Sequence, residues 1–177
     1  MGILQRRLDG KTLDEISIER LRYFEPPEGY YLAFSGGKDS VVLLDLAKQA
    51  GVKFDAHYSV TTVDPPEAMR FVKQKFPEVI WERPNHSMFW MIANKQIAPT
   101  PRRRWCCGVY KECHGGGRLL ITGVRWAESS TRKKRPLLQQ WKGGIGAGRI
   151  LLNPIIDWTD NDVWTYIRRR NLLYCSL

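Results

Sequence analysis

No apolar run in this chain approaches the roughly 18 residues that a membrane-spanning helix needs. The opening segment, MGILQRRLDGKTLDE, has no apolar stretch of the kind that signal peptides carry. Gly2 follows Met1, but Arg6 stands where a myristoylation signal wants Ser or Thr. These absences lead to the expectation of a cytoplasmic protein with no membrane partner. Cysteine is scarce too: Cys106, Cys107, Cys113 and Cys175 are too few for a disulfide scaffold. His57, His86 and His114 form no metal-spaced set. Acidic residues are also in deficit, with 18 Asp+Glu against 28 Lys+Arg and a formal net charge of +10. That excess suits an anionic partner: a nucleotide, a nucleic acid or an acidic protein. The cations gather at Arg102–Arg104, Arg132–Arg135 and Arg168–Arg170, the last on a predicted helix where a solvated face is the plainer account.

What is present is the material of one ordinary domain. The 177 residues are 43% hydrophobic, enough to bury a core. Residues 12–24 carry apolar positions at helical spacing behind a cap-like Thr12. Tyr30–Phe34 is a β-prone run, and Val41–Ala50 a helix closed by Gly51. Further strands are predicted at 54–63, 78–83, 115–126 and 150–156, and helices at 65–75, 87–96 and 160–170. Residues 99–112 begin as a loop, and 127–149 read as a long basic loop. Within it, KGGIGAGR has the glycines of a dinucleotide fingerprint, but no predicted strand precedes it and no helix follows, so it reads as a mobile loop. Alternating strands and helices imply an α/β fold: a Rossmann-like parallel sheet with helices on both faces.

In such sheets ligands bind beyond the carboxyl ends of the strands, and one such end carries Ser35-Gly36-Gly37-Lys38-Asp39-Ser40. A helix that starts directly after a strand offers unpaired N–H groups and the positive end of its dipole. Two glycines let that backbone curl around an anion, two serines add hydroxyls, and Lys38 adds a charge. The loop is not a Walker A motif: Leu32 stands where the first glycine is required, and Asp39 replaces the hydroxyl that would hold Mg²⁺.

This loop resembles that of the PP-loop (adenine nucleotide alpha hydrolase-like) superfamily, and three further segments resemble its phosphoadenylyl-sulfate (PAPS) reductase branch. TGVRWAESSTR supplies Gly123, Arg125, Glu128, Ser129 and Arg132. NPIIDWTDNDVWTYI, from Asn153, resembles the branch's Trp-Thr-x-x-Asp-Val-Trp element, and RWCCGVYKE its Cys-Cys-x-x-x-Lys segment. The resemblance implies an adenine nucleotide substrate (PAPS, adenylyl sulfate or ATP), a thiol electron donor and reduction of activated sulfate to sulfite.

The residues also speak for themselves. Arg125 and Arg132 follow a buried-strand signal, where guanidinium forks suit phosphate or sulfate; an ion pair with Glu128 is the alternative. Thr61 and Thr62 end the second predicted strand, where a hydroxyl or backbone group could touch the nucleotide; plain β-propensity explains them nearly as well. Cys106 and Cys107 should have depressed pKa values among arginines, and thiolates suit a [4Fe-4S] cluster. Two ligands cannot close a cluster, so the remaining ligands are expected beyond Leu177, where the closing YCSL reads as a cut in a single domain. Two thiols without ligand duty are the alternative. The reductases of the branch use a late cysteine as nucleophile; Cys175 is the only late one here and lacks their sequence context. Two rival functions remain: an ATP-dependent sulfurtransferase acting on nucleic acid through the Arg/Lys clusters, and a non-catalytic nucleotide- or DNA-binding subunit.

Overall fold

The computed structural model describes residues 10–141 and 147–175. The centre of the predicted mobile loop, 142–146, lies outside the described residues, as does the stretch holding Gly2 and Arg6. The elements run α1 (Leu13–Tyr23), β1 (Tyr30–Ala33), α2 (Lys38–Ala50), β2 (Phe54–Ser59), α3 (Pro66–Lys75), β3 (Ile80–Glu82) and α4 (Met88–Lys95). They continue with α5 (Trp105–Tyr110), β4 (Leu120–Ile121), β5 (Leu138–Gln140), β6 (Ile150–Leu152) and α6 (Asp160–Arg170). Two 3₁₀ turns, Trp126–Glu128 and Arg132–Lys134, lie between β4 and β5.

The sheet has the order β3-β2-β1-β4-β6-β5 and is parallel except for the β5–β6 pair. The α/β expectation therefore holds, with one antiparallel edge added. Several boundaries move. The predicted fourth strand shrinks from 115–126 to Leu120–Ile121, the last strand ends at Leu152, and the predicted loop 127–149 contains two 3₁₀ turns and strand β5. Leu138 and Gln140 are exposed and β5 pairs with β6 alone, so this edge strand lacks the apolar alternation that would announce it.

Strand parity divides the sheet into two faces. Tyr30, Leu32, Ala56, Ile121 and Leu152 join one cluster with Val42, Leu43 and Leu46 of α2 and Val163 of α6. Helix α2 forms because seven of its apolar residues are buried on this face, and it stops where Gly51 turns left-handed at φ 69°. Helix α1 is pinned beside the β6–α6 connection: Arg20 binds both Asp157 carboxylate oxygens at 2.8 Å, and Trp158 Nε1 donates to Ser17 Oγ at 3.1 Å. The alternate residues Ala33, Leu120 and Leu151 turn to the opposite face, where they line a cavity with Cys107 and Lys111 from the α5 segment.

Strand β1 has β2 on one side and β4 on the other, so the chain winds outward from β1 in both directions. The carboxyl ends of β1 and β4 thus border the topological switch point, and the chain leaves β1 there as Ser35–Ser40.

Candidate functional site

The turn from β1 into α2 is built around Gly36, whose φ is +76°. A Cβ at that position would stand 2.8 Å from Val72 Cγ2 of α3, so both conformation and space require glycine. Gly37 caps α2, and the first bond of the helical ladder is Val41 N–H to the Gly37 carbonyl at 3.1 Å. The N–H groups of Lys38, Asp39 and Ser40 therefore precede that ladder. Ser40 braces the turn: its hydroxyl donates to the Gly37 carbonyl at 2.9 Å, accepts from Ser35 N–H at 3.2 Å, and meets Ser35 Oγ at 3.2 Å.

Asp39 ties this loop to the β4 side. Arg125 Nε donates to Asp39 Oδ1 at 2.8 Å, its Nη2 to Asp160 Oδ1 at 2.8 Å, and its Nη1 to the Trp158 carbonyl at 3.3 Å. Lys38 Nζ lies 3.0 Å from Asp39 and 3.7 Å from Asp160. The Arg125 bond holds the Asp160 carboxyl below its usual value. Gly123 permits the approach: a Cβ there would meet Asp39 Cβ at 3.0 Å. Arg125 was expected at the ligand edge, and it does reach the loop, but it is only 1% exposed and all three guanidinium nitrogens have protein partners. Its fork is spent on the scaffold.

Arg132 takes the outward position. It pairs with Glu128, which also accepts the Arg125 N–H at 2.9 Å. Burial alone would raise the Glu128 pKa, but these bonds and the nearby arginines hold it below the ordinary glutamate value. Both residues line a cavity of about 740 Å³ beside Ala33 and Thr122 at the ends of β1 and β4. Arg104, Lys111, Arg135 and Arg149 bring further positive charge to its wall, against Glu112 and Glu128. Burial, and next the charge of Arg132, pull Arg135 below its usual value, a crowding of cations that an anion would relieve. The cavity borders the Ser35–Ser40 turn without being lined by it. A second cavity, about 670 Å³, is lined by Pro26, Gly116 and Ile150 at the amino ends of the strands, the edge that α/β sheets do not use for ligands.

Thr61 and Thr62 lie past the end of β2, which stops at Ser59. Thr61 N–H donates to Asp64 at 2.6 Å, while Thr62 adopts φ 66° and accepts from Met88 N–H at 2.8 Å. They shape the turn toward α4.

Cys106 and Cys107 sit on α5, which sequence periodicity left inside a loop. Arg104 Nη2 reaches the Cys107 sulfur at 3.3 Å. The expectation of depressed thiols is overturned at Cys106: burial first, then the adjacent Cys107, push its thiol up. Burial does the same to Cys113. Arg102 and Arg103 are exposed, with no described bond to either sulfur, so of the run only Arg104 brings its charge to the thiols. Among the described residues no three His, Cys, Asp or Glu side chains gather as metal ligands. The two thiols alone do not fit a [4Fe-4S] cluster. Cys175 is better placed than its sequence context implied: its backbone N–H donates to the Gly36 carbonyl at 2.9 Å. Sequence reasoning also missed Asp160, legible only as the first residue of α6, and Arg149; it named Arg104 and Arg135 within the cation clusters and Lys111 within the Cys-Cys-x-x-x-Lys segment, but could not bring them to one cavity.

With this geometry in view, the comparisons with known proteins are decisive for kinship. Residues 29–177 match the phosphoadenosine phosphosulfate reductase domain model. The chain belongs to that family. It is 31% identical over 163 residues to an uncharacterized protein of Methanocaldococcus jannaschii, covering 82% of this chain and 37% of that protein. It is 27% identical over 180 residues to an adenosine 5'-phosphosulfate reductase of Lysinibacillus sphaericus, covering 92% of this chain and 73% of that enzyme. In fold it is similar to a PAPS reductase from Candida auris solved as a phosphate complex, with TM-score 0.65 and 17% identity, covering 98% of this chain and 91% of that one. This PAPS reductase-family chain thus spans little more than a third of the length of the M. jannaschii relative. No helix among its described residues is long and apolar enough to cross a membrane.

Proposed function

We propose that this domain binds an adenylyl sulfate, with or without a 3′-phosphate, at the switch point and presents its sulfo group for reduction to sulfite. The observation that carries this reading is the meeting of a glycine-built anion turn with a cation-walled cavity at the carboxyl ends of β1 and β4. The N–H groups at the start of α2 and Lys38 receive phosphate or sulfate oxygens. Arg132 closes on the anion from the cavity wall, Gly123 admits the loop, and Arg125 positions Asp39, and with it the loop. Glu128 orients Arg132. Thr61 borders the nucleotide from the β2 side.

The chemistry needs two thiols. One attacks the sulfo sulfur as the bond to the adenylate oxygen breaks, giving a thiosulfonate and the adenylate. The second attacks that thiol's sulfur and releases sulfite, so that two thiols become a disulfide and sulfur gains two electrons. An external thiol donor supplies both, or one comes from Cys107 in the cavity wall or Cys175 beside the turn. No step runs through a metal cluster.

The test is a side-by-side titration with PAPS, adenylyl sulfate and ATP, followed by sulfite release with a dithiol. Lys38→Ala should weaken sulfonucleotide binding by about 1.5–3 kcal/mol, the scale of a hydrogen bond to a charged group. Unchanged affinity in a folded Lys38→Ala protein removes the turn from the site. Binding of ATP alone, with pyrophosphate release, replaces the reductase reading by the sulfurtransferase one.

A further inference from the structure

Outside the crevice, one surface combines features that the nucleotide site does not use. Residues 83–111 contain no Asp or Glu but hold Arg83, Lys95, Arg102, Arg103, Arg104 and Lys111. Helix α4 crosses this stretch and buries only Met88. Phe89 is 74% exposed and Trp90 46% exposed. The His86 ring stacks on Trp90 with centroids 3.7 Å apart and planes 13° from parallel. The turn that follows α4 is fixed by Thr100, which accepts from Arg103 N–H at 3.0 Å and donates its own N–H to the Arg103 carbonyl at 3.2 Å. Arg102 and Arg103 project from it, exposed and with no ion pair to a described residue.

We infer that this face binds a single-stranded polynucleotide. Its charge is complementary to a phosphate backbone from Arg83 to Lys111, with the nearest carboxylates in sequence, Glu82 and Glu112, at its two ends. Its rings are of the kind on which unpaired bases stack, as in sequence-tolerant single-strand binding. A duplex would hide its base faces from Phe89 and Trp90. A lipid surface would gain from this helix little apolar area beyond the exposed rings of Phe89 and Trp90. The face adjoins the crevice, since Tyr110 of α5 donates to the His86 carbonyl at 3.1 Å and Arg104 also lines the cavity. The inference does not depend on which nucleotide the crevice takes.

The experiment is fluorescence anisotropy of the full chain with labelled 20-nucleotide single-stranded RNA and DNA, the matching duplexes, and phosphatidylcholine/phosphatidylserine vesicles as a competitor. Single strands should bind tighter than duplex. The double variant F89A/W90A should lose roughly 5- to 150-fold in affinity for each base it no longer stacks. The double variant R102Q/R103Q should flatten the log–log salt slope by about 1.4, two phosphate contacts at about 0.7 each. Arg168→Gln, an exposed arginine on α6 across the sheet, should bind strands like the parent. Adenine-nucleotide titrations of the same proteins check their folding and separate a failure here from a failure of the crevice reading. Strand affinity indifferent to both double variants overturns the inference. So does preference for duplex, vesicle binding without strand binding, or self-association that F89A/W90A abolishes.

Discussion

Arg125 shows how one residue changes role between sequence and structure. As text, an arginine after a buried strand in Gly-x-Arg-x-x-Glu-Ser is a candidate anion ligand. In the fold it is a buried strut whose guanidinium bridges Asp39 on α2 and Asp160 on α6, because a charge this deep costs too much to bury without carboxylate partners. Arg125→Lys should therefore lower stability by about 1–3 kcal/mol, since a single ammonium cannot replace two charged hydrogen bonds set by a planar fork; urea unfolding of the two proteins checks this. The carboxylates around it set the pH response. Asp160 and Glu128 both have folded pKa values below their ordinary 3.8 and 4.5. A depressed carboxylate adds stability that is complete above its unfolded pKa and is lost as pH falls through the folded value. Stability should thus hold from pH 7 to about 5 and fall steeply below the ordinary carboxylate range. Arg132→Gln should make the fall shallower by removing part of the Glu128 contribution. Urea midpoints at pH 7, 5, 4 and 3 decide it, and identical curves for parent and variant contradict the assignment.

Element by element, the sequence was legible wherever burial repeats with a period. The core helices α1, α2 and α6 and the central strand β1 bury residues at regular spacing, and each stands close to where periodicity put it. What was hidden is short or exposed. Helix α5 has 6 residues and buries only Tyr110, and β5 exists because β6 offers it an edge, so neither writes a pattern of its own. Helix α2 starts at Lys38 and not Val41 because Gly37, without a side-chain cap, already accepts the first helical bond. The opposite device starts α6: Thr159 Oγ1 accepts from Asp162 N–H at 3.2 Å, and Asp162 accepts from Thr159 N–H at 2.9 Å. Thr159→Ala should cost about 1 kcal/mol of unfolding free energy. It should also weaken nucleotide binding slightly, because the adjacent Asp160 would hold Arg125 and Lys38 less firmly. Calorimetry and nucleotide titration on one preparation read both effects, and loss of stability with unchanged affinity would confine the cap to folding.

For the molecule as a whole, the site is a product of strand order more than of any motif. Ser35–Ser40 and Gly123–Arg132 lie some ninety residues apart, yet they face one another because β4 returns to the side of β1 opposite β2. Strand order was the part of the site that periodicity could not give: pairing partners are chosen by tertiary contacts, and the cavity cations come from segments that no local pattern links. A ligand held only by the turn would order α2's first turn and leave the β4 side as it was. A ligand that spans the switch point must bridge both halves of the sheet. Amide hydrogen exchange with saturating adenylyl sulfate should therefore show slowed exchange in two separated segments at once, residues 34–41 and 122–132, with α4 unchanged. At a ligand concentration about 100 times Kd, the whole domain should gain about 2.7 kcal/mol of stability. In Arg132→Gln the protection of 122–132 should fade before that of 34–41, because the turn keeps its own donors while the far wall loses its grip. Protection confined to 34–41 in the parent protein would mean that the cavity belongs to another ligand and that the turn acts alone.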